Sequence, residues 1–198
     1  MNSQPRSLPE IESDIWERLA GSVSGEPGGW RLPVMTTSGP HARTIVLRAV
    51  SQQARELVFH TDVRSPKVQQ LQSNSAANLV FYDTTSMTQI VVQGTAKVHT
   101  DDELTDREWN CTPGSSRRAY LAPMAPGQRT TEPSVNLPQS VVGRIPDESE
   151  LEAGRTNFAV ISVGVTSIDW LHLDRDGNLR ALFEYDAGQE FSATWLAC

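Results

Sequence analysis

Short apolar runs rich in β-branched residues recur along most of this chain, and their spacing constrains the fold more than any other feature. The runs lie at 31–37, 43–50, 56–60, 77–83 and 87–99, and they recur in close succession over 157–197. Each has the length of a β-strand and is bounded by turn residues. Strands and helices do not alternate regularly along the sequence, as they would in a chain that forms a parallel sheet. The pattern therefore predicts a mainly antiparallel β-barrel or sandwich with peripheral helices.

Helical spacing is confined to short segments. Apolar positions predict an N-terminal helix over 8–21 that ends at a glycine, and a second helix over 66–73. DDELTDREWN predicts a third, opened by a capping box at Thr100 and Glu103, while SSRRAYLA and DESELEAG predict shorter ones.

The remaining segments fit a single domain spanning 1–198. A variable insert occupies about 100–155, and within it residues 123–146 are rich in Pro, Gly, Gln and Ser and predict a long loop. The strands FAVISVGV, SIDWLHL, LRALFEY and EFSATWL then predict a closing antiparallel meander over 157–197.

Charge and composition exclude several classes of function. The formal net charge is −7 and no basic run occurs, which argues against nucleic acid or an acidic membrane surface as a partner. The apolar runs are too short to span a bilayer, and the N-terminus lacks the apolar core of a signal peptide. Two distant cysteines, Cys111 and Cys198, form no disulfide framework, so a cytoplasmic location is expected. The four histidines show no ligand spacing, so no metal site is predicted.

Several strands are apolar on both faces. In RTIVLRAV, Val46 and Val50 share one face, while Ile45, Leu47 and Ala49 share the other. A small barrel buries only one face of each strand within itself, so the second face needs a cover. Peripheral helices and a second subunit are the two candidates, and the pattern favours a homodimer.

Ser65-Pro66-Lys67 opens the predicted second helix directly after the strand ELVFH. Ser65 is a good N-cap, because its hydroxyl can accept an N–H of the first turn, and Pro66 suits the first helical position. Lys67 is unusual there, since the N-terminal end of a helix carries partial positive charge. The lysine is either a solvated surface residue or part of a phosphate site formed with the helix end.

Three further residues have both an ordinary and a functional interpretation. Arg48 interrupts an apolar strand and either points to solvent or meets an anion. Gln89 either faces solvent or uses its amide to bind a flat heterocycle. His60 is either a base or an ordinary histidine at a strand end. The sequence spacing gives no Ser-His-Asp or Cys-His set, no GxGxxG and no P-loop.

The order of these motifs is more specific than any one of them. R-T-I-V-L-R is followed by L-V-F-H-T-D, S-P-K, L-V-F-Y and T-Q-I-V-V-Q-G-T-A, which resembles the pyridoxamine 5'-phosphate oxidase-like FMN-binding split-barrel superfamily. That family shows R-x-V-L-L-K, F-Y-T-N, S-R-K and R-Q-V-x-V-x-G in the same order. The match covers about 30–100 and resumes over 157–197. The insert between them is most similar to the flavin-binding, oxidase-related branch.

The resemblance implies an antiparallel split β-barrel, FMN as cofactor and a homodimer with FMN at the subunit interface. It also implies a set of cofactor contacts: a strand lining FMN, a strand end beside the flavin, a helix start at the phosphate and a glutamine at the ring. The strand that would line FMN is Arg43, Thr44, Ile45, Val46, Leu47 and Arg48. His60 and Thr61 would lie at the strand end beside the flavin, Ser65 and Lys67 at the phosphate, and Gln89 at the ring. Gln128, in the loop APGQRT, matches a further glutamine of the family.

The chain departs from the family pattern in three motifs. Pro66 replaces the arginine of S-R-K, and Leu171 stands where the family has a tryptophan beside the flavin. The family's R-x-H-x-R appears as N-x-R-x-L, at Asn178, Arg180 and Leu182, so the substrate arginine and an FMN-contacting arginine are missing. Each lost charge-assisted bond to a phosphate removes about 1.5–3 kcal/mol. The changes argue against a true pyridoxamine phosphate oxidase, while FMN binding is still expected.

The expected function is flavin-dependent redox chemistry on an unidentified small molecule. The alternative is a non-catalytic dimer that binds flavin, pyridoxal phosphate or haem, or that has lost its cofactor.

Overall fold

The computed structural model describes residues 6–25, 29–186 and 191–198. Its strands are β1 Val34–Thr36, β2 Ala42–Thr44, β3 Leu47–Ser51, β4 Glu56–Asp62, β5 Ala76–Asp83, β6 Thr88–His99, β7 Phe158–His172, β8 Leu179–Tyr185 and β9 Phe191–Leu196. Its α-helices are α1 Leu8–Ser24, α2 Pro66–Ser73, α3 Glu103–Cys111, α4 Gly114–Arg117 and α5 Glu148–Glu152. Short 3-10 helices cover Gly29–Arg31, Arg118–Leu121, Gln139–Val141 and Arg155–Asn157. The mainly β class with peripheral helices is confirmed.

The strands form one antiparallel sheet that curves into a split barrel. Its order is β2-β1-β5-β6-β7-β4-β3, and β8 and β9 continue from β7. The long strand β7 joins the two parts, because its first half pairs with β4, its second half with β8 and nearly its whole length with β6. FAVISVGV and SIDWLHL, expected as two strands, are this single strand. An irregularity in the ladder beside Gln93 and Gly94 bends the pair without ending it.

Gly94 marks a close approach between β6 and β7. A Cβ placed there would lie 2.4 Å from the carbonyl oxygen of Gly164 and 2.8 Å from the side chain of Val163. Both distances are below van der Waals contact, so the crossing of the two strands requires glycine at this position.

The main core fills the barrel, and α1 closes one side of it. Side chains of several strands are fully buried there, including Leu47, Leu57, Phe59, Phe81 and Phe183. From α1, Ile15, Trp16 and Leu19 pack into the same core, as their helical spacing predicts. The helix continues past its predicted end at Gly21 and stops at Ser24. Gly25 is its C-cap, and its φ of 92° lies in the left-handed region.

A second, smaller cluster covers the outer face of β4 and β7. Val58, Phe158 and Val160 pack there against Trp109 of α3 and Tyr120 of the 3-10 segment after α4. Peripheral helices, one of the two candidate covers, therefore cover this part of the outer face. Elsewhere the described residues leave the outer face of the sheet open, and Val34 and Tyr82 are 38% and 39% exposed.

Two local expectations are wrong. The predicted strand 43–50 is interrupted at Ile45 and Val46, because β2 pairs with β1 whereas β3 pairs with β4, so the chain crosses between the two parts of the barrel. The N-cap of α3 is Asp102 and not Thr100; its carboxylate accepts the backbone N–H of Thr105.

No helix within residues 6–25, 29–186 and 191–198 combines the length and the apolarity needed to cross a bilayer.

Candidate functional site

Four of the predicted residues meet where β4 ends and α2 begins. Lys67 donates from Nζ to the hydroxyl of Thr61 at 2.8 Å and to the hydroxyl of Ser65 at 3.0 Å, and the two hydroxyl oxygens lie 3.2 Å apart. Arg43 of β2 acts on the same lysine through its charge. Arg43, Thr61, Ser65 and Lys67 are called the anion corner below.

Ser65 occupies the N-cap position of α2, with extended backbone angles, but its side chain does not cap the helix. The predicted hydroxyl cap is therefore wrong. The hydroxyl faces Thr61 and Lys67 instead, so the serine contributes a polar group to the corner and leaves the helix end uncapped by side chains.

Arg43 is fixed in place by two residues that the sequence alone did not single out. Its guanidinium donates to Thr37 Oγ1 and to Gln70 Oε1, each at 2.9 Å, and Thr37 donates to the same Gln70 oxygen at 2.6 Å. Gln70 lies one helical turn after Lys67 on α2, which is the only sequence signal that could have suggested it. The network holds the arginine beside the start of α2 with neutral partners.

The charges in the corner are not balanced by a free carboxylate. Burial, followed by repulsion from Arg43, lowers the pKa of Lys67, while Asp62 acts in the opposite direction. Burial also lowers the pKa of Arg43. Asp62 is already bonded to Arg64, at 2.6 and 3.0 Å, and this bond raises the pKa of Arg64. Two partly buried cations thus face a helix N-terminus, an arrangement that favours an anion.

Arg48 lies at an irregularity between β3 and β4, where the register shifts between Leu47 and Ala49. Its Nε is buried and has no hydrogen-bond partner among the described residues. It lies near Tyr120, the pKa of which burial raises to about 12. A buried guanidinium N–H without an acceptor is costly, so the position fits an arginine that receives a ligand group.

The strand residues between the two arginines differ in environment. Leu47 is buried in the main core, Ile45 is also buried, Val46 is half-buried and Thr44 is exposed. The N–H of Ile45 donates to the carbonyl of Pro33 at 3.0 Å. This segment is the crossing between β2 and β3.

The His60 ring lies on the other face of β4 from the Thr61 hydroxyl, because successive strand residues alternate. His60 Nε2 is 3.1 Å from Glu108 Oε2 of α3, and its ring packs edge-on against Phe158. The bond to His60 is the main cause that lowers the pKa of Glu108. The His60 side chain thus attaches α3 to the sheet and is directed away from the corner.

In the described part of the chain, neither Gln89 nor Gln128 shares a hydrogen bond with the corner. Gln89 lies near the start of β6, ten residues before His99, which lies beside the end of β4. It lies three residues before Val92, to which the ladder leads from Arg43 through Met35 and Leu79. Gln128 is exposed in the loop after the 3-10 segment, where its N–H donates to the carbonyl of Ala125.

A Ser-His-Asp set, which the sequence spacing did not reveal, lies beneath α3. His99 Nδ1 is 2.5 Å from Asp102 Oδ2, and its Nε2 is 3.1 Å from Ser162 Oγ. The histidine and the serine are 8% and 5% exposed, so a substrate has no access to the hydroxyl. Asp102 also caps α3, and the set therefore anchors the helix start to the sheet.

Residues 32–100 match the family model for the FMN-binding domain of pyridoxamine 5'-phosphate oxidase. A curated protein from Burkholderia thailandensis, a pyridoxine/pyridoxamine 5'-phosphate oxidase, is 31% identical over 111 residues, or 55% of this chain. The match spans half the length of that relative.

Two solved structures share the fold over nearly their whole length. A pyridoxamine 5'-phosphate oxidase-related, FMN binding protein from Nostoc punctiforme has a TM-score of 0.68 at 20% identity, covering 98% of this chain and 99% of that one. PhzG from Burkholderia lata, solved in complex with tetrahydrophenazine-1-carboxylic acid, has a TM-score of 0.64 at 16% identity, covering 98% and 95%. The family model confirms the resemblance over residues 32–100, and the two structures confirm the split-barrel fold.

Proposed function

We propose that this pyridoxamine 5'-phosphate oxidase-like split barrel binds FMN, with the phosphate in the anion corner, and serves flavin-dependent redox chemistry. The observation that carries the proposal is the pair of partly buried cations, Arg43 and Lys67, which face a helix start while Asp62 is engaged by Arg64. A dianionic phosphate would relieve both the repulsion and the burial cost.

The residues at the corner fit the phosphate chemically. Lys67 and Arg43 supply charge, Ser65 and Thr61 supply hydroxyl donors, and the start of α2 supplies its dipole. Arg48, whose buried Nε lacks an acceptor, would bind a polar group of the flavin or of the substrate. When bound, FMN supplies the hydride or electron transfer, and the protein positions it.

We further propose that the site is completed by a second copy of the chain. Among the described residues, Gln89 makes no hydrogen bond to the anion corner of its own chain. It lies in an outward row with Tyr82, Leu171 and Arg180, on the part of the sheet that the described helices leave open. A homodimer that covers this row would bring Gln89 of one copy to the corner of the other.

The substrate side differs from that of an enzyme for pyridoxamine phosphate. Arg180 donates from Nε and Nη2 to the two carboxylate oxygens of Asp169, at 2.9 and 2.6 Å, so its charge is already neutralised. Leu171 and Leu182 lie on the same strands without charge. We therefore expect a substrate other than pyridoxamine phosphate. The second candidate function is a flavin-binding protein that turns over no substrate, and the same ion pair favours it.

We also infer a cytoplasmic location, because Cys111 and Cys198 are both free and exposed.

The visible spectrum of the purified protein tests the proposal. After incubation with FMN and desalting, the wild type should retain a flavin spectrum that denaturation releases, whereas Lys67→Ala should lose it. Lys97→Ala is the matched control, because Lys97 is the only other lysine and is exposed on β6. A colourless wild-type protein contradicts FMN binding, while retained flavin that no donor or acceptor can turn over supports the non-catalytic candidate.

A further inference from the structure

A cavity of about 590 Å³ lies at the end of the barrel away from the anion corner. It opens between the first turns of α1 and the turn that joins β7 to β8, beside Thr88 at the start of β6. None of the residues of the anion corner lines it. Its volume is in the range of cavities that bind small molecules.

Aromatic rings form one wall of this cavity. The ladder places Trp170, Ala181 and Trp195 in one row across β7, β8 and β9. The two indole-bearing strands are two spacings apart, roughly 9.5 Å. Ala181 between them is fully buried and does not line the cavity, whereas Trp170 and Trp195 both do. His172 stacks on Trp170 with a tilt of 16°. Trp195 is 45% exposed, which is unusual for the largest apolar side chain.

The charges around the cavity are arranged unevenly. On the α1 side, Asp14 is bonded to Arg6 and Arg18, each at 3.0 Å, and Arg18 also lies 3.8 Å from Asp83, so the charges there balance. On the opposite side, Asp174 lies 4.0 Å from the ring nitrogen of His172, and Asp176 belongs to the same turn. In the described part of the chain neither of these two carboxylates pairs with a lysine or an arginine. Arg175 of the same turn does not line the cavity, so the turn presents two carboxylates to it and is called the negative wall.

We propose that this cavity binds a planar aromatic cation, of the class of N-alkylated nitrogen heterocycles. The ring lies against Trp195 and Trp170, and the positive charge is directed toward Asp174 and Asp176. Indole faces attract cations, and the carboxylates of the turn add a second attraction. The site is separate from the proposed flavin site and does not depend on it.

Calorimetric titration of the full chain with 1-methylnicotinamide tests the site, with neutral nicotinamide and anionic nicotinate as matched ligands. We expect saturable binding of the cation below about 10 mM and binding of the other two at least about tenfold weaker. Trp195→Ala should weaken cation binding about tenfold and Trp195→Phe less, because phenyl keeps an aromatic face. Asp174→Asn should reduce the preference for the cation, whereas Glu184→Gln, which removes an exposed carboxylate on β8, should not.

Lys67→Ala should bind the cation as the wild type does, which separates this site from the anion corner. The proposal is overturned if the wild type shows no saturable heat up to about 10 mM. Equal affinity for all three ligands would contradict the cationic class. Wild-type affinity in folded Trp195→Ala would contradict the location.

Discussion

Arg43 on β2 and Lys67 on α2 repel each other across the start of the helix, and this repulsion adds to burial in lowering the pKa of Lys67. Their hydrogen-bond partners are the neutral groups of Thr37, Gln70, Thr61 and Ser65. Two cations held together by neutral groups weaken the ligand-free fold. A phosphate bound there, as proposed, would offset that cost.

The lowered pKa of Lys67 predicts a pH dependence in ligand-free protein. Between that pKa and the ordinary value of 10.5, the unfolded chain holds the proton and the folded chain releases it. The free energy of unfolding should therefore rise with pH through this window. Urea unfolding at about pH 8 and pH 10 should show a rise that Lys67→Met lacks. Parallel profiles for the two proteins would contradict the buried, uncompensated lysine.

The local parts of this picture follow from the sequence because they depend on near neighbours. The start of α2 at Pro66 and its end at Ser73 match the prediction, since proline and the apolar spacing act within the helix. The contact between Thr61, Ser65 and Lys67 is also local, because Thr61 and Lys67 are only six residues apart in sequence.

The rest depends on packing between distant segments. Thr37 and Gln70 join Arg43 only because β1, β2 and α2 meet, and His99 reaches Ser162 only because β6 pairs with β7. The sequence also suggested one site for Gln89 and Lys67, and whether one chain or two would supply these residues depends on the strand order. Distances of this kind require the strand order, which no local pattern contains.

The close approach of β6 and β7 at Gly94 predicts that a methyl group added there destabilises the fold. Gly94→Ala would place Cβ 2.4 Å from a carbonyl oxygen, so we expect it to destabilise the fold by about 3 kcal/mol or more in urea unfolding. Gly164→Ala is the control on the paired strand, because its nearest neighbour would be at an ordinary 3.8 Å. Equal losses in the two variants would argue against the crossing described for β6 and β7.

The unpaired Nε of Arg48 predicts that a neutral replacement stabilises the ligand-free protein. Arg48→Met keeps the long side chain and removes the buried N–H, so the free energy of unfolding should rise by about 1–2 kcal/mol. Arg175→Met, at an exposed position in the turn after β7, should change it little. A marked loss of stability in Arg48→Met would show that the guanidinium already has a strong partner.

The proposed sharing of one site between two copies of the chain predicts complementation between subunits. A dimer of two Lys67→Ala chains, or of two Gln89→Ala chains, would have both sites damaged. In a mixed dimer, one site would combine the intact Lys67 of one chain with the intact Gln89 of the other. Co-expressed, differently tagged copies should therefore recover about half of the wild-type FMN capacity at limiting FMN. If the mixed species binds no more FMN than its parents, or if the protein sediments as a monomer with FMN bound, the shared site is wrong.

The most direct test compares FMN with riboflavin, which lacks the phosphate, by calorimetric titration of wild type, Lys67→Ala and Lys97→Ala. The account predicts that wild type and Lys97→Ala prefer FMN, and that Lys67→Ala weakens FMN binding by about one to two decades while riboflavin binding is unchanged. Equal affinity of the wild type for FMN and riboflavin, or an unchanged preference in Lys67→Ala, would contradict a phosphate site at the anion corner.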